Sequence, residues 1–199
     1  MSLSEEIKSL DIYVSSQFFY DGHFLLEDNF FGNFIRKGFP ELIVLFSLII
    51  FAIWLYGKVR GQIFCGISDR VVIFTSGTML VGPFLIVNGI FKTFWGRARP
   101  QDISLFGGDK EFSLPLEISN QCEWDCSFMS GHTAVAFWLL APALLVTKRI
   151  RPFVVAAALF FGGLTAVFRI GQGAHFFSDV VFSALVMCLL IVVVYRRLF

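Results

Sequence analysis

The chain has 199 residues, of which 56% are hydrophobic and only 16% are Asp, Glu, Lys or Arg, with a formal net charge of +1; its mean hydropathy is +0.74. A soluble domain carries about 25% charged residues, so the composition excludes an ordinary soluble protein and predicts one all-α domain over residues 1–199, a polytopic membrane helical bundle. A net charge this close to zero provides no broad basic surface, which sets nucleic acid aside as a partner.

Residues 1–39 come first and contain no apolar stretch long enough to span. Phe18, Phe19, Tyr20, Phe24, Phe30, Phe31 and Phe34 alternate there with Asp21, His23, Glu27, Asp28, Arg36 and Lys37. Such a segment is expected to lie in the membrane interface as an amphipathic element; a loosely folded tail is the plainer alternative. Glu5, Glu6 and Lys8 near the start are unlike the basic beginning and apolar centre of a cleavable signal, so the first span is expected to direct insertion.

Residues 40–199 form the expected transmembrane core. Spanning helices are predicted near residues 40–57, 70–91, 130–147, 152–169 and 176–195, giving about five to six transmembrane helices with the N-terminal segment standing in for one. The second contains Thr75, Ser76, Gly77 and Pro83 and is expected inside the bundle, where neighbours satisfy its polar groups. Lys58, Arg60 and Arg70 flank the first turn between spans; Lys148, Arg149 and Arg151 fill another; Arg196 and Arg197 close the chain. With five spans these clusters fall on one side, which the positive-inside rule assigns to the cytoplasm. Residues 92–132 and 169–179 then share the opposite, non-cytoplasmic face.

That face carries the polar residues. Lys92, Arg97 and Arg99 follow directly on the second span, and Arg169 ends the fourth. Snorkelling explains one or two cations at helix ends, but four on the side where positive charge is sparse point to an anion. Arg binds phosphate bidentately and Lys adds a point charge; Lys92, Arg99 and Arg169 are the expected ligands, with Arg97 less clearly one. Ser130 is a favoured N-cap, and Gly131 allows close backbone approach at a helix start, where N–H groups favour anions. His132 follows. His175 and Asp179 are spaced i, i+4; on one helix face, the carboxylate would hold one imidazole nitrogen and leave the other free to attack. The alternatives are a capped helix beside a chance histidine, and an interfacial histidine beside a capping Asp. Two His and an Asp can also bind zinc, but the surrounding cations would repel it, so no metal and no cofactor are expected. Cys122 and Cys126 sit in a polar loop and form either a small disulfide or two free thiols.

Lys92…Arg99-Pro100, then Ser130-Gly131-His132, then Arg169…His175…Asp179 resembles the three-part signature of the type 2 phosphatidic acid phosphatase superfamily. Each part alone is weak; the joint spacing is specific. Met129 replaces the usual Pro and Phe168 the usual Ser, at positions that need no functional group. The resemblance implies that His175 is the nucleophile forming a phosphohistidine, with Asp179 orienting it. His132 would be the acid to the leaving group and then the base to water. Lys92, Arg99, Ser130, Gly131 and Arg169 would hold the phosphoryl oxygens, without a metal. The stretch from Arg97 to Phe128 is similar to the bacterial lipid A phosphatases, with the 1-phosphate slightly favoured. That implies a lipid phosphate substrate in the bilayer of a bacterial inner membrane. Phosphatidylglycerophosphate and undecaprenyl pyrophosphate phosphatases are related possibilities, as is a phosphotransferase of the same fold. A protein that only binds a lipid headgroup is the non-enzymatic alternative, disfavoured by the oriented imidazole.

Overall fold

A bilayer offers no partner for backbone N–H and C=O groups, so an apolar run must close its hydrogen bonds internally as a helix. The computed structural model describes residues 3–27 and 29–199; Met1, Ser2 and Asp28 of the N-terminal segment lie outside the described residues. Four helices among these are long and apolar enough to cross a membrane: Gly32–Arg60, Asp69–Phe94, Arg151–Gly171 and Phe177–Leu198, while a fifth apolar helical stretch, Gly131–Leu145, is shorter. The protein is therefore a polytopic helical membrane bundle.

In chain order the elements begin with α1 (Leu3–Ser16) and a small hairpin of β1 (Phe19–Tyr20) and β2 (His23–Phe24). The first span follows as α2 (Phe30–Lys37) and α3 (Phe39–Arg60). Asn29 caps α2 by accepting from the Gly32 amide, and Gly61 ends α3 in the left-handed region. The second span is α4 (Asp69–Met79), a π-helical stretch Leu80–Phe91 and α5 (Lys92–Phe94). Pro83 lies in the π-helical stretch, where its missing N–H breaks the α-helical ladder, and Asn88 Nδ2 donates to the Pro83 carbonyl at 2.8 Å. The remaining spans are α6 (Gly131–Phe137) with α7 (Leu140–Leu145), then α8 (Arg151–Gly171) and α9 (Phe177–Leu198).

Helix α6 is central and packs on α3, α8, α9 and the π-helical stretch. Its small residues Gly131, Thr133, Ala134 and Ala136 are buried, which lets neighbouring backbones approach closely. A Cβ at Gly162 of α8 would sit 2.8 Å from the Phe137 ring, so α6 and α8 meet where only glycine fits. Trp138 plugs the core; its indole N–H donates to the Thr75 carbonyl at 2.9 Å. Thr75 and Thr78 are buried on the inward face of the second span, while Ile73, Leu80, Phe84 and Leu85 are exposed, so the span packs by one face and does not lie inside the bundle as expected.

The chain order brings the C-terminal ends of the second span and α8 to the same end as the N-terminal ends of α6 and α9. Residues 95–130 cover that end. A separate apolar cluster of Phe24, Ala98, Ile103, Phe106 and Phe176 ties the N-terminal hairpin to this loop and to the start of α9. Helix α1 inverts the usual reading of an amphipathic segment: Asp11 and Ser15 are buried, whereas Tyr13 is 63% exposed.

Candidate active site

Local turns place the functional side chains. Gly96 has φ +64, and a Cβ there would lie 1.8 Å from the Ser119 carbonyl oxygen, so only glycine permits this crossing. The crossing is pinned by Ser119 N to Trp95 O at 2.9 Å and by Ser119 Oγ to Gly96 O at 2.6 Å. Arg97 is thereby turned inward and Arg99 kept at the rim. The Ser127 amide donates to the Arg97 carbonyl at 2.8 Å, which lays residues 125–128 alongside the motif. Cys122 and Cys126 are joined by a disulfide in this loop, with Cα atoms 5.6 Å apart.

His175 is fully buried, in the short connection between α8 and α9. Its Nδ1 lies 2.7 Å from the Ser127 carbonyl oxygen. A carbonyl only accepts, so Nδ1 carries the hydrogen and Nε2 keeps its lone pair. Nε2 is buried and has no hydrogen-bond partner among the described residues. Burial first, then the charges of Arg169, Lys92 and Arg99 and the neighbouring His132, hold the pKa of His175 well below the ordinary histidine value. The imidazole is thus neutral at physiological pH, as a nucleophile requires.

The expected direct hydrogen bond from the His175 imidazole to the Asp179 carboxylate differs from what the structure contains. The Asp179 carboxylate is 3.9 Å from Nδ1. The i, i+4 reading assumed one continuous helix, but α9 starts at Phe177, so His175 lies ahead of it. Asp179 instead closes the first turn of α9, accepting from the Phe176 amide at 2.8 Å. It also accepts from Ser127 Oγ and from Arg97 Nη1. Its link to His175 is electrostatic, and runs through Ser127, whose hydroxyl meets the carboxylate while its carbonyl meets the imidazole.

The cations separate by role. Arg97 is fully buried, bridging Asp11 and Asp179, and the Phe176 ring lies 4.4 Å from its guanidinium carbon. It is sequestered from any substrate. Lys92 and Arg99 both pair with Asp125, and the Asp125 carbonyl also accepts from Arg99 Nη2 at 2.7 Å. Burial alone would raise the Asp125 pKa; Lys92 and Arg99 outweigh it and hold it below the ordinary carboxylate value. Arg169 is buried, donates from Nη1 to Gln172 Oε1 at 2.6 Å, and leaves its Nε unpartnered among the described residues. Ser130 caps α6, accepting from the Thr133 amide. Gly131 lies against Asn88, whose Oδ1 would be 2.9 Å from an added Cβ. His132 Nε2 lies 3.1 Å from the Arg36 carbonyl, so Nε2 is its donor and Nδ1 its free lone pair when neutral.

A groove of about 520 Å³ opens beside these residues, between α3 and the second span, lined by Leu45, Leu48 and Phe84 and ending on Lys92, Asp125 and His132. On the other side, a polar cavity of about 170 Å³ is lined by Arg36, Arg99 and Arg169. A site with donors and cations on one side and hydrocarbon on the other suits an anion carried on a lipid.

The sequence profile of the PAP2 superfamily matches residues 71–199. The chain belongs to the PAP2 superfamily. It is a membrane lipid phosphatase, a hydrolase of phosphate esters. It is 36% identical to a lipid A 4'-phosphatase of Francisella tularensis subsp. novicida over 175 residues, covering 86% of this chain and 77% of that one. Lipid A 4'-phosphatases of Rhizobium leguminosarum and Rhizobium etli are 42% and 40% identical over about half of this chain and 45% and 40% of their own lengths. No solved structure matches the chain. The PAP2 signature positions Lys92, Arg99, Ser130, Gly131, His132, Arg169, His175 and Asp179 all gather at this end of the bundle. Asp11, Asp125, Ser127 and the Arg36 carbonyl belong to the same cluster and were missed by sequence reasoning. The nearest signal was the position of Asp125 and Ser127 on either side of Cys126; Asp11 and Arg36 had none.

Proposed function

We propose that this PAP2 protein dephosphorylates lipid A in a bacterial inner membrane, with the site on the periplasmic face. The observation that carries the lipid reading is the hydrocarbon-lined groove ending on Lys92 and His132. The lipid A reading rests on the relatives, all three named for the 4'-position. They move the preference from the 1-phosphate, suggested by the loop resemblance, to the 4'-phosphate. The periplasmic side rests on the Lys and Arg clusters, which sit at the bundle end opposite the site.

In this mechanism the acyl chains lie along the groove and the phosphate displaces Asp125 from Lys92 and Arg99. Those two cations, Arg169, Ser130 Oγ and the Gly131 amide hold the three non-bridging oxygens and stabilise the charge that develops on them. The lone pair of His175 Nε2 attacks phosphorus, and the P–O bond to the lipid breaks. His132, carrying a second proton on Nδ1 while Nε2 stays bonded to the Arg36 carbonyl, gives the Nδ1 proton to the departing lipid oxygen and is left neutral. Water, deprotonated by His132, then attacks the phosphohistidine and releases inorganic phosphate and neutral His175. Three cations supply the charge stabilisation that a metal ion supplies in other phosphatases, so turnover should survive chelators.

Purified protein and its His175→Ala variant, given lipid A labelled at either phosphate, phosphatidylglycerophosphate and undecaprenyl pyrophosphate, test the reading. Release of the 4'-phosphate by the wild type alone supports it. Preference for either other lipid overturns the lipid A assignment, and label appearing on a second lipid rather than in inorganic phosphate identifies a phosphotransferase.

A further inference from the structure

We infer that Asp11, on the N-terminal helix and outside the family-matched residues 71–199, is a positioning residue for the phosphoryl transfer, acting on His175 through Arg97 and the start of α9. The inference rests on the proposed role of His175 as nucleophile.

Asp11 is 1% exposed, on a helix whose apolar residue Tyr13 faces outward. Burying a carboxylate is costly unless every oxygen is satisfied, and here each one is. Oδ1 accepts from the Ser178 amide at 2.8 Å. Oδ2 accepts from Ser178 Oγ at 2.6 Å and from Arg97 Nη2 at 2.8 Å. The other end of the Arg97 guanidinium donates to Asp179 and, at 2.9 Å, to Ser178 Oγ, and Nε donates to the Ser113 carbonyl at 2.9 Å. Phe112 and Phe176 lie 5.2 and 4.4 Å from the guanidinium carbon. Arg97 therefore has one orientation, and Asp11 sets half of it.

Two consequences reach His175. The first is geometric. The leading N–H groups of a helix have no partner within it. In α9 Asp11 takes the Ser178 amide, 167 positions away in the chain, and Asp179 takes the Phe176 amide, so the helix start that follows His175 is held from the N-terminal helix. The second is electrostatic. The Arg97 guanidinium and the Ser178 and Phe176 amides only donate, so the carboxylates of Asp11 and Asp179 meet them as acceptors. Two carboxylates around one guanidinium leave the cluster with one excess negative charge behind the imidazole. On attack His175 becomes positively charged while Lys92, Arg99 and Arg169 face its other side. The excess negative charge is felt more in that transition state than in the ground state, where the imidazole is neutral. Without Asp11, the Arg97–Asp179 pair is neutral and this stabilisation is lost.

The test compares wild type, His175→Ala, Asp11→Asn and Asp11→Glu in detergent micelles, reading kcat and KM per folded molecule, the thermal midpoint, and phosphohistidine trapped by rapid acid-free quench. Asp11→Asn should lower kcat by about tenfold or more with KM within about twofold, and slow phosphohistidine formation by the same factor, the pattern of an interaction made in the transition state. Asp11→Glu keeps the charge and should recover part of that loss. An Asp11→Asn protein with wild-type kcat per folded molecule overturns the inference, even if its thermal midpoint falls, because a purely structural contact changes the amount folded and not the chemistry. If Asp11→Asn does not fold, Asp11→Glu decides alone: its longer side chain displaces Arg97, so unchanged kcat overturns the inference and a several-fold loss at unchanged KM supports it. Turnover remaining in His175→Ala overturns the nucleophile reading and this inference with it; an inactive His175→Ala beside a fully active Asp11→Asn overturns this inference only.

Discussion

The carbonyl oxygen of Ser127 lies 2.7 Å from Nδ1 of His175 and fixes its tautomer. In many catalytic constellations a carboxylate does this directly. Here the carboxylate, Asp179, acts one residue removed, binding the Ser127 hydroxyl and the amide of Phe176. The free lone pair on Nε2 follows from that arrangement, as does the first prediction. His175→Ala should reduce phosphate release by about 10³-fold or more, since a covalent step is removed, while lipid binding remains. Single-turnover phosphate release and lipid co-purification measure the two separately.

Asp125 pairs with both Lys92 and Arg99, so in the proposed mechanism substrate phosphate competes with a carboxylate already in place. Asp125→Asn should strengthen inhibition by vanadate or inorganic phosphate by about twofold to fivefold, the range expected for removing partly exposed ion pairs. Inhibition constants for the two proteins at one ionic strength decide this; an unchanged constant means the phosphate does not displace Asp125.

Arg97 is a buried structural cation, in contrast to Lys92, Arg99 and Arg169, which are proposed to hold the substrate. Replacing it with Met leaves Asp11 and Asp179 as buried, unpaired carboxylates, a change that typically costs about 3–5 kcal/mol. Arg97→Met is therefore expected to fail to fold or to lose much of its thermal midpoint. Arg169→Met, which removes a cation from the substrate side, should keep more of the fold and lose phosphate affinity. Thermal unfolding in detergent, beside KM for the folded fraction, distinguishes the two outcomes.

The depressed pKa of His175 makes stability depend on pH. An unfolded chain protonates this residue as pH falls through about 6.5, the ordinary histidine value, whereas the native protein does not until well below it. The unfolded state then binds more protons, so stability falls as pH drops through that window. The wild-type thermal midpoint should decline between pH 8 and pH 5 more steeply than that of His175→Asn, by melting both proteins across that range. Asp125, with its pKa held low, contributes a loss only in stronger acid.

Hydropathy was enough to identify the helical membrane class, because the bilayer leaves a long apolar run no alternative to a helix. Motif spacing singled out Lys92, Arg99, Ser130, Gly131, His132, Arg169, His175 and Asp179 as positions at the ends of consecutive spans, and the fold gathers them at one end of the bundle. The same reading placed His175 and Asp179 on one helix face, since spacing carries no information on where a helix begins. Only packing determined that α9 starts after His175, that Ser127 rather than Asp179 touches the imidazole, and that Arg97 is buried structure while its neighbour Arg99 faces the site. Asp11 shows the reason most clearly. Along the chain it is an ordinary acid in a short polar helix, and its partners lie 86 and 167 positions away. Once α1 docks against α9, burial removes water from its carboxylate, and among the described residues the groups that satisfy it are Arg97 and Ser178, close to His175.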